Sequence, residues 1–425
     1  MIDHEHPLVK LAANIDWTHF DELFGATYSP GKGRPGVSTR LMVGLHYLKY
    51  TFDMSDAETL DLWVENVYWQ YFCGMKYFEH RRPINSSSMT RWRKRIGESG
   101  AEEMLKETIM SGMRMKMVKT SELRRINVDT TVQEKDIRFP TDIRLYDRAR
   151  ERLVKAANNR EIPLRQNYNR CSKTLLKRHS GYAHARQYKR ARNCNRKLRT
   201  FLGRVIRDIE RNATEMDQEL KDHMEVCRRI HTQERHDKQK IYSVHAPETE
   251  CISKGKAHKR YEFGCKVSIA ATSKGGWLVG AKALPGNPYD GHTLMGALNQ
   301  VAKISPKKVS HVFVDLGYRG HGYAGDADVH MCKRRQGRTP QSLWRWMKRR
   351  SAIEATIGHL KQHHGMSRNP LKGNEGDGIN ALLSAAGMNF SKLKARLGKI
   401  LRLFWDAITF THSSLFRELC CQGLR

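Results

Sequence analysis

The 425-residue sequence lacks any apolar run near the roughly 20 residues of a membrane-spanning helix, and its mean hydropathy is −0.67. That argues against an integral membrane protein. It also lacks a C-x-x-C pair, and its nine cysteines are odd in number. The thiols are therefore expected to be reduced and packed as small hydrophobes. The first residues, MIDHEHPLVKLAANIDW, carry acids and histidines in place of a basic segment followed by an apolar one, so no secretory signal is read and a cytoplasmic location is expected. A further absence is local: from Ile162 to Arg207 there are fourteen Lys or Arg and no acid. Such a run repels itself unless something anionic lies against it, and a DNA-phosphate surface, with Lys189, Arg190 and Arg192 among its cations, is the reading adopted.

Charge of one sign is what the chain has in excess. Its 76 Lys and Arg stand against 44 Asp and Glu, a formal net charge of +32, which points to a polyanionic partner, nucleic acid first. To about residue 120 the pattern is helical. Ser55 with Glu58 three residues on forms a capping-box pattern, and Leu60, Trp63, Val64 and Val67 recur at helical spacing. The short helix of SSSMTRWRKRIG has Ser86, Ser87 and Ser88 as cap candidates and carries Arg91, Arg93, Lys94 and Arg95. A short basic helix after a capped turn is how a helix-turn-helix presents its recognition helix to DNA.

At RRINVDTTVQ the period changes to that of a buried strand holding Asp129. Helical patterning returns after Pro140 with Ile143, Tyr146, Leu153 and Ala157, and a clean apolar stripe follows at Leu198, Phe201, Leu202, Val205, Ile206 and Ile209. YEFGCKVSIAAT and GGWLVGAKALPG, separated by a turn, read as a hairpin. A helix over about 292–303 is followed by the strand Val312–Val314, which ends on Asp315. The segment SLWRWMKRRSAIEATIGHLK reads as one basic helix holding Glu354, and Ala381 to Leu397 read as buried helix. The histidines His359, His363 and His364 have no acid or thiol clearly joining them, and are read as exposed or phosphate-facing rather than as a zinc site. Asp290, in GNPYDGHT, is read as a structural turn residue ahead of a helix.

A carboxylate at the end of an apolar strand is either hydrogen-bonded structurally or gathered with others around a cation. Asp129, Asp315 and Glu354 together favour the second, because hard divalent cations take oxygen ligands and two of them suit phosphoryl transfer. The 38 residues between Asp315 and Glu354 allow one excursion back to the same sheet edge.

At these residues the chain resembles the DDE transposases of bacterial insertion sequences, specifically the IS-five group. INVDTTVQ, VFVDLGYRG and RRSAIEATIGHLK look like that family's three catalytic segments, and STRLMVGLHYLKYTFDMSDAETLDLWVENVYWQYFCG with SSSMTRWRKRIG looks like its helical DNA-binding domain. The resemblance implies an α/β fold with an RNase H-like core, a mixed sheet flanked by helices, and Mg2+-dependent cutting and joining of DNA. It makes Asp129, Asp315 and Glu354 the catalytic acids, holding two Mg2+ ions, with Mn2+ as a substitute. The family signature around the glutamate places Arg350 and Lys361 on its Arg and Lys positions as phosphate contacts, while its Tyr position holds Met347, leaving Trp344 and Trp346 as aromatic substitutes.

The expected division is an N-terminal helical DNA-binding domain over 1–120 and a catalytic domain over 121–400. The second is interrupted by a basic helical insertion at about 141–240, and a tail of unassigned role covers 401–425. The expected partners are the element's terminal inverted repeats and target DNA, with no membrane and with a homo-oligomer assembled on DNA. Two alternatives remain at this point: a non-catalytic DNA-binding regulator derived from a transposase, and a structure-specific RNase H-like nuclease.

Overall fold

The computed structural model describes residues 2–27, 36–253, 259–332 and 340–422, the side chains only as far as 399. The basic residues Lys333, Arg334, Arg335 and Arg338, and the tail side chains, lie outside the described residues. Among the described residues no helix is long and apolar enough to cross a membrane. The chain divides into two compact units, one of residues 1–133, 266–371 and 375–425, the other of residues 134–265 and 372–374.

Among the described residues the first unit begins with the helices α1 (Pro7–Asn14), α2 (Trp17–Gly25), α3 (Thr39–Thr51), α4 (Asp56–Glu65), α5 (Val67–Phe72) and α6 (Ser86–Arg114). The capping box on α4 forms as the sequence predicts, with Ser55 accepting from Glu58 N–H and the Glu58 carboxylate accepting from Ser55 N–H. The cap of α6 is different: Asn85, one residue before the serines, accepts from Ser87 N–H at 3.0 Å. α6 is two helical segments meeting at Gly97, whose φ of 63° and ψ of −165° suit glycine alone, so the basic segment ends where the pattern RWRKRIG stops. Strand β1 (Arg125–Glu134) then leads out of this unit.

The second unit holds α7 (Asp142–Asn158), α8 (Asn169–His184), α9 (Tyr188–Asn212) and α10 (Gln218–Thr232), then β2 (Glu250–Ser253), which pairs antiparallel with the start of β3 (Tyr261–Thr272). Its core is the apolar faces of the helices: Ile143, Leu153 and Ala157 meet Leu198, Leu202, Val205 and Ile209 and then Leu220, Met224 and Ile230. Phe201, the most exposed member of the α9 stripe, stacks on Tyr168 with centroids 4.3 Å apart. Buried Arg150 is held by Asp147 at 2.8 Å, so it belongs to this core and not to the basic surface.

Back in the first unit come β4 (Leu278–Leu284), α11 (Asp290–Ile304), β5 (His311–Val314), β6 (Asp328–Met331), α12 (Gln341–Arg349), α13 (Ala352–His363) and α14 (Gly373–Gln422). The sheet runs β3-β1-β5-β6 with β4 on β3. It is mixed, since β1/β5 and β5/β6 are parallel whereas β3/β4 are antiparallel. Its strands bury Val128, Ile269, Val312 and Val314 in one cluster with the N-terminal helices and with Ala381, Leu382, Ala385 and Phe390 of α14. Each fully buried Leu, Ile or Val there contributes about 1.5–3 kcal/mol relative to exposure.

One expected element is corrected. The segment read as a single helix is α12 and α13, broken at Arg350–Ser351, where i→i+3 bonds (Arg350 N–H to Met347 O, Ile353 N–H to Arg350 O) replace the α-helical register. The cysteines follow the expectation in part: none of the seven described is in a disulfide, and Cys73, Cys194, Cys227 and Cys265 are buried, but Cys171 is exposed.

Candidate active site

The site is built where two parallel strands end and a helix begins. β1 and β5 are in register at Asn127↔Phe313, so two residues further along Asp129 stands beside Asp315 on the same face. Asp129 Oδ1 accepts from Thr130 N–H at 2.8 Å. Asp315 turns the chain out of β5: its Oδ1 accepts from Gly317 N–H at 2.9 Å and caps the short turn Leu316–Tyr318. Glu354 lies on the exposed side of the first turn of α13, whose Ile353, Thr356 and Leu360 are buried.

All three carboxylates meet one guanidinium. Arg350 Nη2 is 2.8 Å from Asp129 Oδ2 and 3.8 Å from Asp315 Oδ2, and its Nη1 is 3.6 Å from Glu354 Oε1. The break between α12 and α13 allows this, because it turns Arg350 inward at the junction. Exposure rises from Asp129 (15%) through Asp315 (39%) to Glu354 (68%), which leaves the cluster open on the glutamate side. The donor set is all oxygen and already surrounds a cation, the character a hard divalent ion requires. The Arg350 Nε is buried without a hydrogen-bond partner, so this guanidinium is only partly satisfied where it stands.

Further groups belong to the same place. Asp290, at the start of α11, accepts from Thr130 Oγ1 at 3.0 Å and from Lys266 Nζ at 2.9 Å. A Cβ on Gly317 would lie 3.0 Å from Asp315 Oδ1 and 3.4 Å from Asp290 Oδ2, so the two carboxylates flank one narrow gap that a larger residue would crowd. Beneath them Tyr318 is fully buried, and its phenol is pushed well above the usual range by burial and then by Asp129, Asp290 and Asp315. It stays neutral as the floor of an acidic pocket. Burial likewise pushes the Cys332 thiol up to about 11, with Arg350 and Asp315 as its charged neighbours. The sequence signalled Asp290 only through its turn. Lys266, Thr130 and Tyr318 carried no signal, being ordinary strand and turn residues until the sheet assembles.

The remaining predicted residues are placed as follows. Lys361 is on α13, seven residues after Glu354 and partly buried. Trp346 carries the Arg125 guanidinium on its ring face at 5.0 Å and that of Arg349 at 5.6 Å, and Trp344 has Lys348 at 5.7 Å. Arg91, Lys94 and Arg95 are exposed on α6. Arg93 is not: it is 3% exposed and binds Asp56 with both Nη atoms, at 2.9 and 2.5 Å, so its place among the DNA-facing cations is withdrawn in favour of a structural ion pair. In the second unit Lys189, Arg190 and Arg192 are exposed on α9, with Arg190 also bonded to Gln187 Oε1. His364 is buried with Nδ1 2.9 Å from Tyr50 O, so it is not the exposed or phosphate-facing ring expected, while His359 and His363 stack on each other.

Comparison with known proteins gives two family matches and a relative. Residues 1–95 match the Transposase domain (DUF772) model, and residues 228–390 match the Transposase DDE domain model. Asp315 and Glu354 fall inside the second match, and Asp129 falls between the two. The protein described as "Uncharacterized protein ORF8 in nfe locus" of Rhizobium meliloti is 50% identical over 188 residues, covering 44% of this chain and 90% of that protein. No solved structure matches. With a mixed sheet flanked by helices, three acids gathered where the pairing of β1 with β5 ends and α13 begins, and transposase matches in both halves of the chain, the protein belongs to the DDE transposases, metal-dependent polynucleotidyl transferases.

Proposed function

We propose that the protein is the transposase of an insertion sequence of the IS-five group, with an RNase H-like catalytic core. It binds the element's terminal inverted repeats through a helix-turn-helix-like N-terminal domain (1–120), cleaves DNA at the element's ends and joins the freed 3′-hydroxyl to target DNA. The observation that carries this is the convergence of Asp129, Asp315 and Glu354, from two parallel strands and a helix, on the single guanidinium of Arg350.

In this reading the three carboxylates are the ligand set for Mg2+, or for Mn2+ in its place. When bound, such ions supply Lewis-acid activation of the attacking oxygen and charge stabilisation at the phosphate. The chain's own residues do the rest. Asp129 and Asp315, fixed by the backbone N–H groups of Thr130 and Gly317, would hold such an ion at the strand ends, and the exposed Glu354 would complete the set from the open side. Arg350, displaced from the carboxylates, turns its guanidinium to the phosphate, and Lys361 holds the strand two turns further along α13. Both steps are in-line displacements by an oxygen nucleophile, so no covalent bond to the protein forms. Arg91, Lys94 and Arg95 of α6 and Lys189, Arg190 and Arg192 of α9 bind backbone phosphates. The protein acts in the bacterial cytoplasm on the nucleoid, as a homo-oligomer that brings two ends together.

The test uses purified protein, Mg2+ and a duplex carrying the element's ends. Asp129→Asn, Asp315→Asn and Glu354→Gln should each abolish nicking while leaving DNA binding and the circular dichroism spectrum unchanged. Undiminished cleavage by any of the three would overturn the assignment of that acid.

A further inference from the structure

We infer that His311, Asp328 and His330 form a second metal site, for a borderline transition ion of the zinc class and distinct from the acid cluster. His311 opens β5 and its register partner on β6 is Asp328, while His330, two residues on, projects to the same face of the sheet edge. His311 Nδ1 lies 3.1 Å from His330 Nε2 and 3.4 Å from Asp328 Oδ2, and one donor atom from each residue falls within 4.8 Å of the other two. Two ligands about 2.0–2.1 Å from a tetrahedral ion stand about 3.3–3.4 Å apart, so the contact with Asp328 has the length of a tetrahedral edge and that with His330 is about 0.2–0.3 Å shorter.

His311 Nδ1 faces both an imidazole nitrogen and a carboxylate oxygen, so one ion bound there would meet a lone pair from each of the three residues at a single point. The ring of Phe313, stacked on His330 with centroids 5.1 Å apart, fixes the imidazole plane. Asp328 is exposed, which leaves the fourth position to water. Because the ligands come from both strands, the ion would pin the four-residue edge strand β6 to β5, the strand that delivers Asp315. Two imidazoles and one carboxylate select zinc-class ions, whereas the all-oxygen set of Asp129, Asp315 and Glu354 selects hard ones, so the two sites fill independently.

The experiment is a titration of the metal-stripped full chain with Co2+, followed by its visible absorption band. One Co2+ per chain should bind with a tetrahedral spectrum and be displaced by Zn2+. His330→Gln and Asp328→Asn should each remove that band, whereas Asp315→Asn combined with Glu354→Gln should keep it. Asp328→Asn changes an exposed side chain and so guards against a folding artefact. A band that survives both His330→Gln and Asp328→Asn, or that disappears with the acid-cluster variant, would overturn the site, as would the absence of saturable binding in the unaltered chain.

Discussion

Asp56→Asn should destabilise the N-terminal helices by about 3 kcal/mol, and the reason lies in what that carboxylate holds. Asp56 Oδ1 and Oδ2 accept from Arg93 at 2.9 and 2.5 Å, and Oδ1 is also 3.2 Å from Lys49 Nζ. The side chains of Arg93 and Lys49 are 4% and 10% exposed, so two cations are kept beside each other out of water by one acid. Burial opposes the charge on Asp56, yet Arg93 and then Lys49 hold its carboxyl well below the usual range. Removing one partner of a buried ion pair costs about 3–5 kcal/mol. The lower end applies because Arg93 keeps contacts at 3.2 Å with Thr90 Oγ1 and His46 Nε2. The folded-state pKa is depressed, so the contribution is present above the unfolded carboxylate value near 3.9 and is lost as pH falls below it. Urea denaturation followed by circular dichroism at pH 7 and at about pH 2.5 measures both quantities. A variant with the parent's midpoint at pH 7 would refute the reasoning and return Arg93 to the set of residues available for DNA.

The remaining expectations address single groups. His46 is buried and held neutral, its pKa pushed down to about 3 by burial and then by Arg93, so the unfolded chain takes up the proton first. Stability should fall by about 1.4 kcal/mol per pH unit between pH 6.5 and 3, and His46→Asn should flatten the urea midpoint against pH; equal slopes in parent and variant would count against it. Gly317→Ala puts a methyl 3.0 Å from Asp315 Oδ1 and should cut DNA cleavage at least tenfold with the thermal midpoint unchanged; full activity would mean that the turn has room. Replacing Lys189, Arg190 and Arg192 by Gln should make the dependence of log K on log salt shallower by about 2–3 if all three meet phosphates, since each contact contributes about 0.9. An unchanged slope from binding isotherms at several salt concentrations would show that this face of α9 does not meet DNA.

Much of the fold was legible because it follows from period and capping. β1, the β3/β4 hairpin and β5 are runs of β-branched and apolar residues, and the α9 stripe is a full amphipathic face. What escaped was short or depended on partners. β2 and β6 are four-residue edge strands, ECIS and DVHM, too polar and too brief to show a period, and β6 exists because β5 supplies its hydrogen bonds. The break at Arg350–Ser351 has neither Pro nor Gly to announce it.

Arg93 illustrates a signal that was present and outweighed. Met89, Trp92, Arg93 and Ile96 are the buried positions of the first segment of α6, the i, i+3, i+4, i+7 stripe, while Arg91, Lys94 and Arg95 fall off it. A cluster of four basic residues reads as one surface only if helical phase is ignored. Phase assigns three to solvent and one to the core, where a cation demands an acid, and the first turn of the neighbouring α4 supplies Asp56. The same logic, run the other way, applies to the acids. Asp129 sits where a carboxylate is costly alone, Asp315 and the exposed Glu354 join it, and no spacing in the sequence reveals the counter-charge. It comes from Arg350, at the break between α12 and α13. The identities of the acids could be read from strand ends and resemblance. Their mutual distances could not, because they are set by the parallel register of β1 with β5 and by that break.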